Sequence, residues 1–380
     1  MKSNQNPNFY PKAIAKSITN LTKDGYKSFK VASKGSDWDS VVALLDESEH
    51  LIGRQMSVNS HLNAVLYSDD FNQEYEKTLP IISNYYSDLG ASEDLYNAFI
   101  RVKSSKLNDQ QMHIVKDSIR SFELSGVALR GEKSSRFKEI QEKLSTLSNQ
   151  FSKNVLQATN SWKKTVSIDD LDGYGEAELS KIKNGDNYIL NLQIPVYIDL
   201  MTYAENRGLR EEVYKAYISR ASDVGITPVE FDNRKIMDEI LKLRSEMSIL
   251  LGLKSYAEYS VQSKMVESPL AVIEFLEKLI DSSKQQATDE LKALEDFAGH
   301  PLMPWDLMFY SERLKQKVFN FKSADLKPYF PESSVLDGLF ETIQNLYSIK
   351  LTEVKEECYH SDVRVIVLED EIGPIGKIYF

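Results

Sequence analysis

Along most of this chain apolar residues recur at spacings of three and four, the period that gathers them on one side of an α-helix. The clearest stretch runs from Ser135 to Thr159. There Phe137, Ile140, Leu144, Leu147, Phe151 and Val155 form one stripe, flanked by Lys, Glu, Gln, Ser and Asn, and this stripe is expected to be buried against neighbouring helices. A related pattern covers Asp37–Arg54 through Trp38, Val41, Val42, Leu45 and Leu51. Further helices are predicted over about 69–88, 92–104, 108–124, 196–205, 209–221, 233–251, 269–297, 304–318 and 333–347.

Strand patterning is confined to a few places. Trp162–Ile168 and Tyr188–Ile194 are alternating or β-branched runs on either side of a Gly- and Asp-rich segment, with a short helix predicted at Ala177–Lys183. The third place is the end of the chain. A β-branched run up to Glu369 and a second run from Ile375 to Phe380 are joined by a Gly- and Pro-bearing turn, the signature of a β-hairpin. An apolar strand with an open edge invites pairing with another chain, so the chain is expected to be part of something larger. The fold class expected is therefore predominantly α, with minor β at 162–194 and a terminal β-hairpin at 361–380. The organisation expected is a helical region over 1–160, a small β-excursion over 161–195, a second helical region over 196–350 and the start of a sheet over 351–380.

Composition narrows the function classes. The 380 residues can bury a substantial core, and 42% hydrophobic with 27% charged residues describes an ordinary globular protein. With 46 basic against 57 acidic residues the net charge is −11 and no basic block occurs, which disfavours nucleic acid as a partner. The single cysteine, Cys358, rules out an internal disulfide framework and fits a reducing compartment. No run approaches the length of a membrane span and no signal-like apolar segment opens the chain, so a cytoplasmic location is expected, with no membrane partner.

Within the chain, catalytic signals are weak. The five histidines, His50, His61, His113, His300 and His360, include no H-E-x-x-H pair. Glu47/His50 and Glu357/His360 have E-x-x-H spacing, which on facing helices can help hold a di-iron centre. The second pair runs straight into the terminal strand, so both are read as solvated polar pairs. Cys358 is read as a small half-buried side chain, and Glu353, Glu356 and Glu357 as a solvated face. Gly173-Tyr-Gly175 lacks the third glycine of a dinucleotide loop. Tyr256 and Tyr259, one turn apart, could line a peptide groove, but helix packing is the favoured reading. No catalytic residue and no metal ligand is assigned, and substrate-binding residues stay unknown.

Several segments resemble a known family. Ser60–Val65, Phe151–Thr159, Met201–Arg207 with Leu209–Tyr217, Asp232-Asn233 with Ile240–Arg244, Leu250–Leu253 with Tyr256–Ser260, Lys264–Pro269, Pro304–Glu312 and Lys327–Pro331 are similar, in this order, to the oligopeptidase A and thimet oligopeptidase family of zinc metallopeptidases. The resemblance implies two mostly helical lobes flanking a channel, with zinc on its floor held by two histidines of H-E-x-x-H and a downstream glutamate. Such enzymes cleave oligopeptides in the cytoplasm. Three ligands plus a water, beside a carboxylate base, is how zinc generates a nucleophile. Residues matching those ligands are absent from this chain, so it corresponds to the N-terminal portion of the family, and 351–380 to the first part of the catalytic-lobe sheet. The chain alone is expected to bind no catalytic zinc and to be inactive. Two alternatives remain: a non-catalytic peptide-binding or scaffold protein, and one half of a split peptidase whose zinc lobe is a separate polypeptide.

Overall fold

The computed structural model describes residues 10–380 except 67, 226, 227, 321–325 and 357. It divides into two compact units, one formed by Met1–Ala128 with Ala324–Phe380 and the other by Leu129–Ser323.

The first unit starts with a helix that the hydrophobic pattern did not reveal, α1 (Pro11–Ala32), which packs on α2 (Leu44–Val65) and α3 (Asp69–Gly90). Its buried positions are Ile14, Ile18, Thr22, Gly25 and Ala32. The Thr22 hydroxyl donates to the Ile18 carbonyl at 2.8 Å, so threonine enters the core without an orphaned polar group. Gly25 lets α3 approach closely, since a Cβ there would stand 3.0 Å from both the Tyr85 hydroxyl and Ile52 Cδ1. A π-helical turn (Asp39–Ala43) leads into α2. The expected stripe buries Val41, Val42 and Leu45, but Ile52 continues it in place of Leu51, which faces outward. The last two apolar positions of that pattern are seven residues apart, which is two helical turns, not six.

α4 (Glu93–Lys103) and α5 (Asp109–Leu124) complete this helical layer. Their starts are written in the sequence. Ser92 Oγ accepts from Leu95 N at 3.1 Å, and Asn108 with Gln111 forms a reciprocal capping box. From α4, Arg101 donates to the carbonyls of Ser33 and Gly35 at 2.9 and 3.0 Å, placing a cation at the C-terminal end of α1 where carbonyls lack helical partners. The main core here gathers Val41, Ile52, Tyr85, Leu95, Phe99 and Val115.

The later segment of the same unit supplies α14 (Glu332–Tyr347) and an antiparallel sheet of β4 (Lys350–Val354), β5 (Val365–Glu369) and β6 (Pro374–Tyr379), ordered β4-β5-β6. The terminal hairpin is present, with Val365 opposite Tyr379 and Ile366 opposite Ile378. β4 was not foreseen; it pairs with β5, Val354 facing Val365. Val365 and Ile366 are both buried, so both faces of the sheet are covered at that end.

The second unit is built on α6 (Glu132–Ser161), the long helix expected from the stripe. Phe137 and Ile140 form a core with Leu243 and Met247 of α10 (Arg234–Leu250), while Leu144 and Leu147 are only partly buried at its margin. Further along α6 the buried residues are Asn154, Ala158 and Thr159. Asn154 donates to Asn233 Oδ1 at 2.9 Å, and Asn233 in turn donates to the Phe151 carbonyl at 3.1 Å. This closed amide relay lets polar side chains sit where the pattern called only for apolar ones.

The β-excursion is a small sheet ordered β1-β3-β2, from β1 (Lys163–Val166), β2 (Lys183–Asn184) and β3 (Asn187–Asn191), with α7 (Glu176–Ile182) inserted. It packs with α8 (Ile194–Tyr203) and α9 (Arg207–Ile218) around Leu190, Leu192, Leu200 and Val213. Gly173 is needed at the preceding turn: its φ is +95°, and a Cβ would fall 2.2 Å from the Tyr203 carbonyl oxygen. α11 (Tyr256–Val261), α12 (Pro269–Ala298) and α13 (Leu307–Phe319) finish the unit.

Candidate functional site

The most concentrated buried charge lies in the second unit, where α9 meets the turn before α13. Asn206 caps α9 by accepting from Leu209 N at 3.1 Å, which sets the helix phase that turns Arg207 and Arg210 toward Asp306. Arg207 grips Asp306 through Nε and Nη2, at 3.0 and 2.7 Å to its nearer oxygens. Arg210 Nη2 reaches Oδ1 at 2.9 Å and its remaining nitrogens donate to the carbonyls of Trp305 and Ala204 at 3.1 and 2.6 Å. Met303 N–H donates to Oδ2 at 3.1 Å. Burial pushes the Asp306 carboxyl up, yet the hydrogen bonds from Arg207, Met303 N–H and Arg210 outweigh it and hold it at about 2. The Phe309 ring lies 4.0 Å from the Arg210 guanidinium carbon and 4.4 Å from that of Arg313.

With both oxygens engaged and the carboxylate held ionised down to about pH 2, Asp306 is poorly placed to bind a metal or to accept a proton near neutral pH. The cluster fastens α9 to the turn that starts α13. It was missed as a unit by the sequence reading, although all three residues fall inside the segments that carry the family resemblance. Arg207 and Arg210 at i and i+3 were the available signal; the partner sits about a hundred residues away.

The other expected groups are dispersed. Glu47 and His50 are both exposed on α2. His61 Nε2 meets the Tyr359 hydroxyl at 3.1 Å, and His113 faces Asp117 on the next turn at 3.1 Å. His300 donates from Nδ1 to the Pro301 carbonyl at 2.8 Å, which leaves Nε2 to accept from the Tyr310 hydroxyl at 3.1 Å. His360 Nδ1 accepts from Asp362 N at 3.2 Å, in a turn and not on a helix; its expected partner Glu357 lies outside the described residues. Cys358 is half-buried. Glu353 and Glu356 are not a bare solvated face: they pair with Arg364, at 2.7 Å, and with Lys377. Tyr256 and Tyr259 stack at 5.4 Å beside the Phe137–Met247 core, with Arg244 over Tyr256, as helix packing requires. Among the described residues, no group of three or more His, Cys, Asp or Glu could hold a metal ion.

The sequence profile of peptidase family M3 matches residues 200–380, and that of the neurolysin/thimet oligopeptidase N-terminal domain matches residues 16–134. The chain is 38% identical to oligopeptidase A of Escherichia coli (strain K12), an alignment covering 97% of this chain and 57% of that protein. It belongs to peptidase family M3. Oligopeptidase A of Salmonella typhimurium is 39% identical over 90% of this chain and 53% of its own length, and that of Haemophilus influenzae 38% over 97% and 57%. The chain thus spans little more than half the length of these curated relatives. Within the M3 match lie the Arg207–Arg210–Asp306 cluster and the β4–β6 sheet, whereas α1–α5 fall largely in the N-terminal-domain match and the β1–β3 sheet in neither.

Proposed function

We propose that this chain is the N-terminal, mostly helical part of an oligopeptidase A-like enzyme that hydrolyses short peptides, with the zinc centre supplied by residues outside it. The observation that carries the reading is the identity to oligopeptidase A along 97% of the chain, against coverage of 57% of the relative. Zinc chemistry needs three convergent ligands and an open position, and the described histidines and carboxylates are instead separated or engaged with one another and with arginines. Among the described residues no such ligand set converges, which supports a zinc centre supplied from elsewhere. The chain's contribution is a fixed helical framework, in which the Arg207–Arg210–Asp306 lock holds α9 in place. In this reading residues 351–380 open the lobe that carries the metal. The site of action is the cytoplasm, in keeping with the single cysteine and with an Arabidopsis thaliana relative described as a probable cytosolic oligopeptidase A.

The test is peptide cleavage by the purified chain with and without o-phenanthroline, beside measurement of bound zinc. The expected result is no chelator-sensitive cleavage and less than stoichiometric zinc. Stoichiometric zinc with chelator-sensitive turnover in a host-free preparation would overturn the assignment.

A further inference from the structure

α12 is a thirty-residue helix without a single buried residue. Its two halves differ. The C-terminal half is polar and anchored: Phe297 packs edge-on against Tyr310 of α13, Lys317 lies over the Phe297 ring, and Glu295 accepts from Leu302 N at 3.1 Å. The N-terminal half is apolar and bare. Leu270, Ile273, Phe275, Leu276, Leu279 and Ile280 are each between 48% and 61% exposed. At 100° per residue, Phe275, Leu279, Val272, Leu276, Ile280 and Ile273 form an unbroken apolar arc of about 160°, which Leu270 extends to about 220° past Glu277, with Glu274 and Lys278 in the remainder; a surface helix needs an apolar stripe of about 100°. A helix written this way is meant to be covered on more than one side, and a contiguous apolar patch of this kind marks an interaction surface.

We infer that the Leu270–Ile280 face of α12 is the docking surface for a polypeptide corresponding to the part of the M3 relatives that this chain does not match. The inference rests on the functional reading above and adds the surface through which the two parts meet. Three considerations select this occupant. The relatives carry more than 40% of their length beyond the matched portion, enough chain to surround a helix (57% of the E. coli protein is covered). A second copy of this chain would bring together two molecules of net charge −11, which repel. A short peptide could lie along one side of the helix but not enclose an arc this wide.

The test co-expresses the tagged chain with the segment of E. coli oligopeptidase A that lies beyond the aligned portion. Three forms of the chain are compared: the natural sequence, Phe275→Lys/Leu279→Lys on the apolar arc, and Ser282→Lys/Gln285→Lys on the polar arc of the same helix. The natural chain and the polar-arc variant should retain the segment, and the apolar-arc variant should lose at least nine-tenths of it while its own thermal melt is unchanged. Equal retention by the apolar-arc variant, or no retention by the natural chain, overturns the proposal. So does a homodimer in light scattering that the apolar-arc variant abolishes, because the face would then belong to a second copy. Chelator-sensitive peptidase activity of the recovered pair is read separately. Capture without activity counts against the functional reading alone, and activity that survives Phe275→Lys/Leu279→Lys counts against the docking surface alone.

Discussion

Arg210 of α9 and Asp306 meet at 2.9 Å with side-chain exposures of 1% and 0%. Two opposite charges so far from water are tolerable only while each compensates the other. Asp306→Ala leaves the Arg210 cation buried and unpaired, and a loss of about 3–5 kcal/mol in urea unfolding is expected. A loss under about 1 kcal/mol would show that water reaches the guanidinium once the carboxylate is gone.

The same carboxylate sets an acid limit. Its ordinary value of 3.8 is lowered to about 2 in the folded chain, so its contribution is complete above pH 4 and disappears as pH falls through about 2. The contribution amounts to about 2 kcal/mol. Stability measured from pH 5 to pH 2 should fall less steeply in Asp306→Asn than in the natural chain. Parallel slopes would remove Asp306 from the acid transition.

Glu49 is expected to act in the opposite sense. Burial, then the negative charge of Asp46, raises its carboxyl above the usual range. A raised carboxyl favours folding when protonated and opposes it as pH climbs through the folded value. Glu49→Gln should therefore raise the melting temperature at pH 7, with the gain shrinking toward pH 4. A variant less stable than the natural chain at pH 7 would indicate that the carboxylate holds a partner worth more than its burial costs.

In the α6–α10 core, Ile140 is fully buried and Leu147 lies at the margin. Ile140→Ala should cost about 2–5 kcal/mol and Leu147→Ala distinctly less, because the cost follows the cavity left behind. Chemical denaturation of the two variants gives the ranking directly, and equal losses would mean that the margin is closed in solution.

Gly173→Ala confronts a Cβ with the Tyr203 carbonyl oxygen at 2.2 Å on a backbone already at φ +95°. A loss of more than about 1 kcal/mol is expected, since alanine at positive φ outweighs its entropic gain. Amide exchange should report the damage first at Glu205 N, which donates to the Asp172 carbonyl at 2.9 Å in the same turn.

Helices with long apolar side chains on one face were legible in the sequence. α1 was not, because its core positions include Thr22 and Gly25, whose fitness for burial depends on the Ile18 carbonyl and on Tyr85. β4 was hidden for another reason. Lys350-Leu-Thr-Glu-Val354 is short, with two charged residues in five, and becomes a strand only by pairing with β5. The Arg210–Asp306 lock joins residues 96 apart, a relation no local period can carry. What could be read of function came from ordered segments of family likeness, not from any spacing of reactive groups.

The division of the chain also bears on the order in which it is made. Leu129–Ser323 is continuous, whereas the other unit waits for Ala324–Phe380 to be added to Met1–Ala128. Tyr359 packs onto the cluster of Ile14, Ile18, Leu62 and Phe71 and reaches His61. At about 5–20 residues per second, a ribosome that has finished α5 needs roughly ten seconds to a minute to deliver that tyrosine. During this interval the inserted unit can fold to completion, while the first helices wait on the nascent chain with one side of their core still open.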